Sequence, residues 1–114
     1  MAGDEHLFDL AAAARDLQRE EQEARGGHRQ VTLLHDDGVT VVLFAFEAGG
    51  RLGSHSADGL VMIHVVAGTI DVATATASHS MAPGSLLTLA AGVQHDIIAH
   101  EPSHMLLTVH LRHG

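Results

Sequence analysis

A series of short apolar runs, each closed by glycine, proline, aspartate or serine, constrains the fold of this chain more than any other feature of its sequence. The runs follow Gly27 and continue almost to the end of the chain. They cover residues 31–35, 39–47, 60–67, 70–74, 86–89, 95–99 and 105–112. Short strands at such regular spacing are typical of β-sandwiches and β-barrels, so we predict an all-β domain of roughly seven to nine strands.

The run at 39–47 is apolar on both of its faces. Because successive side chains of a strand point to opposite sides, Phe44 and Phe46 share one face, and Leu43 and Ala45 share the other. A sheet with one face in water would alternate more cleanly between apolar and polar residues. We therefore expect one face to line the interior of a barrel and the other to meet a helix or a second subunit.

One amphipathic helix is predicted ahead of the strands, over residues 5–25. Four apolar residues recur at helical spacing and form a stripe along it: Leu7, Leu10, Ala14 and Leu17. Asp4 is the expected N-cap, and the glycines at 26–27 are of the kind that end a helix. The chain thus divides into an N-terminal helical segment at 1–30 and a single barrel domain at 31–114.

The composition leaves His, Asp, Glu, Ser and Thr as reactive or metal-binding side chains, and the number of histidines makes these the first candidates. The 114 residues include 11 histidines but no cysteine, lysine, tyrosine or tryptophan, which excludes a thiolate nucleophile, a disulfide and a lysine Schiff base. The net charge is −8 and the cations are not clustered, so no nucleic acid is expected as a partner. No apolar run approaches the length of a membrane span, and Met1 is followed by acidic residues rather than a basic signal region, so we expect a cytoplasmic protein without a membrane partner.

The apolar content indicates that part of the surface is buried in an oligomer. Apolar residues make up 46% of the chain, which is high for a small soluble protein. We expect a homodimer in which outward-facing apolar side chains of the barrel meet across a two-fold axis. The side chains expected there are Phe44, Phe46, Leu60 and Met62.

Two segments rich in glycine and histidine carry the residues of a known pair of motifs. The matching residues are Gly49 or Gly50, His55 and Gly68 in the first segment, and Gly84, Gly92 and His95 in the second. With this spacing the chain resembles the cupin superfamily over roughly residues 40–111. It looks most like the small bacterial single-domain cupins that begin with a helix. The resemblance implies a small cupin-type β-barrel, a jelly roll, behind the amphipathic helix.

The resemblance also implies a metal centre, of which only half of the ligands are present. A cupin metal centre normally takes three histidines and one glutamate, but Ala57 stands in place of one histidine and Val61 in place of the glutamate. In the second motif, alanine replaces both the proline and the asparagine. His55 and His95 remain as candidate ligands, and His64 is an outside candidate because strand alternation turns it away from the face of Val61.

Two functions of different class follow from these residues. The first is non-catalytic binding of a small molecule, whose identity the sequence does not specify, in the barrel pocket with His55 and His95 as polar anchors. The apolar lining expected for that pocket is Val61, Ile63, Val65, Ile97 and Leu107. The second is a metal-dependent enzyme of oxidoreductase, dioxygenase or isomerase type, with Zn, Ni, Mn or Fe held by the same two histidines. The loss of two ligands to apolar side chains favours the first.

Overall fold

The computed structural model describes residues 4–20 and 24–111, which form one helix and nine strands. The helix is α1 (Leu10–Gln18), and the strands are β1 (His28–Asp36), β2 (Val39–Phe46), β3 (Arg51–His55), β4 (Gly59–Ala67), β5 (Ile70–Ala73), β6 (Ser78–Met81), β7 (Leu86–Leu89), β8 (His95–Ala99) and β9 (Ser103–Leu111). Within these ranges, no helix has the length and apolar content needed to cross a bilayer.

The strands form two antiparallel sheets with a shared apolar core. The first sheet has the order β1-β2-β9-β4-β7, and the second has the order β3-β8-β5-β6. Their inward faces contribute the core residues Val42, Phe44, Phe46, Val61, Ile63, Val65, Ile70, Val72, Met81, Leu89, Ile97, Ala99 and Met105. The predicted all-β fold is confirmed. The two sheets face each other as in a jelly roll and are not closed into a barrel, because no ladder between the described strands joins an edge of one sheet to an edge of the other.

Two of the nine strands carry no apolar periodicity, so the sequence does not predict them. β3 reads RLGSH and β6 reads SHSM, and most of their side chains are exposed. Neither contains a β-branched or aromatic residue, which are the residue types enriched in strands. They pair with neighbours that do carry the signal, β8 and β5. Tertiary pairing, rather than local preference, therefore makes these segments strands.

Both faces of β2 are buried, as its sequence predicts. Phe44 and Phe46 belong to the core between the sheets, with only 4% and 2% of their surface exposed. Leu43 and Ala45 lie on the opposite face and pack against α1. The expectation that the two phenylalanines face outward at a dimer interface is therefore wrong, because the alternation of β2 directs them inward together.

The helix is shorter than its sequence pattern predicts. It begins at Leu10, because the side chain of Asp9, and not that of Asp4, accepts the hydrogen bond from the Ala12 N–H at 3.0 Å. Leu7, assigned to the apolar stripe, precedes the helix and is 99% exposed. Ala14 and Leu17 do form the buried stripe, so the amphipathic pattern holds only over Leu10–Gln18, the middle of the predicted range.

The glycines at 26–27 do not end the helix but form the turn that leads into β1. Gly27 has φ +78°, and a Cβ there would lie 2.7 Å from the Cα of Gly50. Only glycine permits this approach of two backbones. The N–H of Arg51 donates to the carbonyl of Gly26 at 2.7 Å, so the turn ties the start of β1 to the start of β3. This contact positions one wall of the cavity described below.

The end of α1 rests on a partly buried histidine of the first sheet. Nε2 of Gln18 lies 3.1 Å from Nε2 of His104, and the amide donates to the ring when the ring is neutral. Burial lowers the pKa of His104, because removing the ring from water disfavours its charged form.

We expect acidification to destabilise the fold through His104. Above its ordinary pKa of 6.5 the ring is neutral in both the folded and the unfolded chain; as the pH falls below that value, the unfolded chain takes up the proton first and stability falls. In His104→Gln this proton uptake is absent. Urea unfolding at about pH 8 and pH 5 should therefore show a smaller loss of stability in the variant. Equal losses in the two proteins would contradict the assignment.

Candidate functional site

The two histidines matched to the cupin motifs meet across adjacent strands. β3 and β8 pair antiparallel, with His55 opposite His95. Both side chains line a cavity of about 200 Å³. The other lining residues are Gln30, Phe44, Leu52, Ser56, Ala57, Val61, Leu107 and Val109.

This cavity is apolar at its floor and polar at its rim. Val61 and His95 are each 2% exposed, and Phe44 beside them is 4% exposed. Gln30 and His55 are exposed at the rim. A bound molecule would therefore meet one imidazole among carbon side chains inside, and amide and imidazole groups at the entrance.

The hydrogen bond of His95 determines what its ring presents to the cavity. Nδ1 lies 3.2 Å from the carbonyl oxygen of Val93. A carbonyl oxygen only accepts, so in the neutral ring Nδ1 carries the proton and Nε2 carries the lone pair. Among the described residues, no fully buried side-chain nitrogen or oxygen lacks a hydrogen-bond partner, so an unpartnered Nε2 of His95 is not fully buried. We therefore assign Nε2 of His95 as an acceptor open to the cavity.

His28, the first residue of β1, supports the wall of the cavity. Its ring lies 5.6 Å from the ring of Phe44 and 5.7 Å from that of Phe46, measured between centroids. Its Nδ1 lies 2.9 Å from the carbonyl oxygen of Arg51, which links β1 to β3. From sequence, His28 lies beside a glycine turn and carries no signal for this role. It holds Phe44 in place rather than lining the cavity itself.

The predicted pocket residues fall into two groups. Val61 and Leu107 line the cavity together with His55 and His95. Ile63, Val65 and Ile97 face the same interior but are packed into the core, 0–2% exposed. Each pair of residues along a strand advances about 7 Å, so Ile63 and Val65 lie progressively farther along β4 from the cavity.

The sequence pattern does not predict several of the lining residues. Gln30 stands opposite Phe44 in the β1–β2 ladder, so the two side chains share one face. Strand alternation alone indicates this once the register is known, but the apolar pattern predicts β1 only from residue 31. Leu52 and Ser56 lie in and after β3, the strand without an apolar signal.

The positions of the two missing metal ligands lie in this same cavity. Ala57 and Val61, which replace a histidine and the glutamate of the cupin motif, both line it. Within residues 4–20 and 24–111, no group of three or more histidines, aspartates or glutamates is arranged to hold a metal ion. The donor set at the cavity is therefore two imidazoles, short of the three or four protein ligands typical of tightly held metals.

His64 lies outside the cavity, on the outward face of the first sheet. It stands opposite Leu86 of β7 and Leu106 of β9, and with them lines a separate groove. Val61 and Ile63 on the same strand face the interior. The alternation of β4 thus directs His64 away from His55 and His95, as its spacing indicates.

Comparison with known proteins identifies the fold. No family model and no curated protein matches the sequence. Among solved structures, a conserved protein of unknown function from Streptococcus pyogenes superposes with a TM-score of 0.77 at 21% identity, covering 100% of this chain and 93% of that one. A cupin superfamily protein from Desulfitobacterium hafniense gives a TM-score of 0.76 at 18% identity, covering 98% of this chain and 95% of that one.

A third structure, KdgF from a Halomonas species, superposes with a TM-score of 0.70 at 21% identity over 83% of this chain and 89% of that one. Identities this low carry the fold and not the function. Three observations agree on one fold: the two facing antiparallel sheets, the positions of His55 and His95, and these superpositions. This chain has the fold of the cupin superfamily.

Proposed function

We propose that the cavity binds a small, uncharged organic molecule that has an apolar body and one hydrogen-bond donor. The observation that carries this proposal is the lining: two imidazoles, the neutral side chains of Gln30 and Ser56, and otherwise carbon side chains, with Ala57 and Val61 where metal ligands would stand. None of the lining residues is a carboxylate or an arginine. A charged ligand would therefore lack a permanently charged partner, and burying it would carry a large desolvation cost.

The size of the cavity limits the ligand. An apolar cavity of about 150 Å³ accommodates benzene, so a volume of about 200 Å³ suits a ring or short chain of roughly six to ten non-hydrogen atoms. The walls are Phe44, Leu52, Leu107 and Val109, which offer dispersion contacts but few polar ones. These side chains favour the apolar body of the ligand.

The open acceptor of His95 favours a hydroxyl or N–H group on that body. Filling the cavity with a purely apolar molecule would leave Nε2 buried without a partner, which costs about 1–3 kcal/mol. A molecule that donates to Nε2 avoids this cost. The proposal therefore predicts discrimination between ligands of equal shape that differ in one donor.

Phenol and toluene test this prediction, since they match in size and differ in the hydroxyl group. We expect phenol to bind with a dissociation constant of about 1 mM or lower, and about five- to tenfold more tightly than toluene. His95→Phe should abolish the difference, whereas His64→Phe, the same substitution on the outward face, should preserve it. NMR titrations that follow the methyl resonances of Val61 and Leu107 measure both affinities. Equal affinities for the two compounds would contradict the proposal. So would chemical-shift changes confined to residues away from these methyl groups.

The metal-dependent enzyme is the second candidate, and it depends on His55 and His95 alone. Their position directly opposite each other on the adjacent strands β3 and β8, in one cavity, is the observation that favours it. Two imidazoles leave most of the coordination sphere to water or an added ligand, so these residues do not fit a tightly held metal.

A further inference from the structure

A second depression, here called the outer pocket, adjoins the cavity. It has a volume of about 490 Å³ and is lined by Ser56 and by residues 74–76 and 92–94. Ser56 lines the cavity as well, directly after the end of β3. Ala57, the next residue, has only a methyl group as its side chain, so little side-chain volume obstructs the place where the two spaces meet.

One backbone hydrogen bond joins the walls of the two spaces. The N–H of Gly92, in the outer pocket, donates to the carbonyl of Ala57, in the cavity, at 2.8 Å. Val93 lines the outer pocket and packs against the core, and its carbonyl oxygen lies 3.2 Å from Nδ1 of His95. The loop that forms the outer pocket therefore also orients the open acceptor of the cavity.

The outer pocket offers neutral hydrogen-bonding groups. None of the described residues that line it is a carboxylate, an arginine or a histidine. Ser56 and Gln94 are exposed, and their hydroxyl and amide groups both donate and accept. The hydroxyl of Thr74 is instead used within its own turn, where it accepts from the N–H groups of Thr76 and Ala77. An uncharged polar group thus finds partners here, whereas a charged one finds no counter-charge.

The depression on the outward face of the second sheet does not extend the cavity in this way. It also borders Leu52, but Leu52 packs against the core, so β3 lies between the two spaces. Its lining includes Arg51, Asp71 and Asp96, so its chemistry is charged. The outer pocket is therefore the neutral continuation of the cavity.

We propose that the cavity and the outer pocket together bind one elongated molecule, which has an apolar ring that donates to His95 and an uncharged polar tail, such as an amide. This inference rests on the proposed function of the cavity. His95 is 2% exposed at the floor, so a ring that donates to it directs its opposite end toward the entrance, where Ser56 and the outer pocket lie. Ring and tail together exceed the roughly ten non-hydrogen atoms that the cavity alone accommodates.

Two ligands of the same shape test the tail, and phenol serves as the reference for the ring alone. We expect para-hydroxyphenylpropionamide to bind at least about fivefold more tightly than phenol, and para-hydroxyphenylpropionate to bind no more tightly than phenol. Salt at about 0.15 M screens the long-range repulsion between the acidic protein and the carboxylate. In NMR titrations the amide should shift the methyl resonances of Val61 and Thr76 with one dissociation constant, whereas phenol should shift that of Val61 alone.

Gln94→Leu locates the tail, because it removes the amide group of the outer pocket and nearly preserves the side-chain size. We expect this variant to bind the propionamide about fivefold more weakly and to bind phenol as the wild type does. Gln18→Leu, the same substitution at an exposed position on α1, should leave both affinities unchanged.

The phenol titration separates failure of this inference from failure of the proposed function. If phenol binds in the cavity but the propionamide binds no more tightly, or if Gln94→Leu leaves the affinity for the propionamide unchanged, the outer pocket holds no tail and the function of the cavity stands. Equal affinities for the propionamide and the propionate would overturn the assignment of an uncharged tail. If phenol does not bind in the cavity, both proposals are overturned.

Discussion

Replacing Ala57 with histidine and Val61 with glutamate should raise the affinity of the cavity for Ni²⁺ or Zn²⁺ at least about a thousandfold, which corresponds to about 4 kcal/mol. Both positions line the cavity that holds His55 and His95. The double variant would supply three imidazoles and a carboxylate, a complete set for a divalent metal. Isothermal titration of metal into the chelator-treated, untagged proteins measures the change.

The matched control exchanges only the charge. Ala57→His combined with Val61→Gln has nearly the same volume and the same number of imidazoles but lacks the carboxylate, so it should gain much less affinity. The full variant also buries an unpaired glutamate at a position that is 2% exposed, so it should be destabilised without metal and stabilised by its addition. Equal affinities in wild-type protein and the double variant would show that Ala57 and Val61 do not occupy ligand positions.

Phe46→Ala should lower the free energy of unfolding by about 3–5 kcal/mol. Phe46 is 2% exposed, stacks on Phe44 at 6.0 Å between centroids and contacts the ring of His28 at 5.7 Å. Truncation removes a large apolar surface and leaves a cavity that the paired sheets cannot fill. A domain of this size is stable by about 5–15 kcal/mol, so the loss is a large part of the total.

Leu60→Ala is the control for this substitution, because Leu60 is 40% exposed on the outward face. We expect it to cost less than about 1 kcal/mol in the same urea unfolding measurement. If Phe46→Ala lowered the free energy of unfolding by as little as Leu60→Ala, the side chain of Phe46 would lie on the outward face, as the sequence predicts.

The parts of the fold that the sequence predicts are those in which each residue agrees with its neighbours. β2 alternates two apolar faces, and both are buried, one in the core and one under α1. β3 and β6 have no such agreement, since their strand conformation comes from partners distant in sequence. The apolar spacing of Leu7 continues the helical stripe, yet Asp9 caps the helix after it and leaves Leu7 outside.

The site was predictable where a motif or a strand period marks it. His55 and His95 come from the cupin resemblance, and Val61 and Leu107 from alternation along their strands. Gln30 and His28 lie on β1, whose inward face is polar and therefore gives no core signal. Whether the two sheets join edge to edge depends on hydrogen bonds between strands that are distant in sequence, and no local sequence pattern predicts those bonds.

The central claim is that this cavity is a pocket for an organic molecule and not a metal centre, and metal content tests it most directly. Elemental analysis of untagged protein, purified without added metal, should show Zn, Ni, Mn and Fe far below one ion per chain. The His55→Ala, His95→Ala double variant should give the same values. One ion per chain in the wild type and none in the double variant would contradict the claim and establish the two histidines as a working metal site.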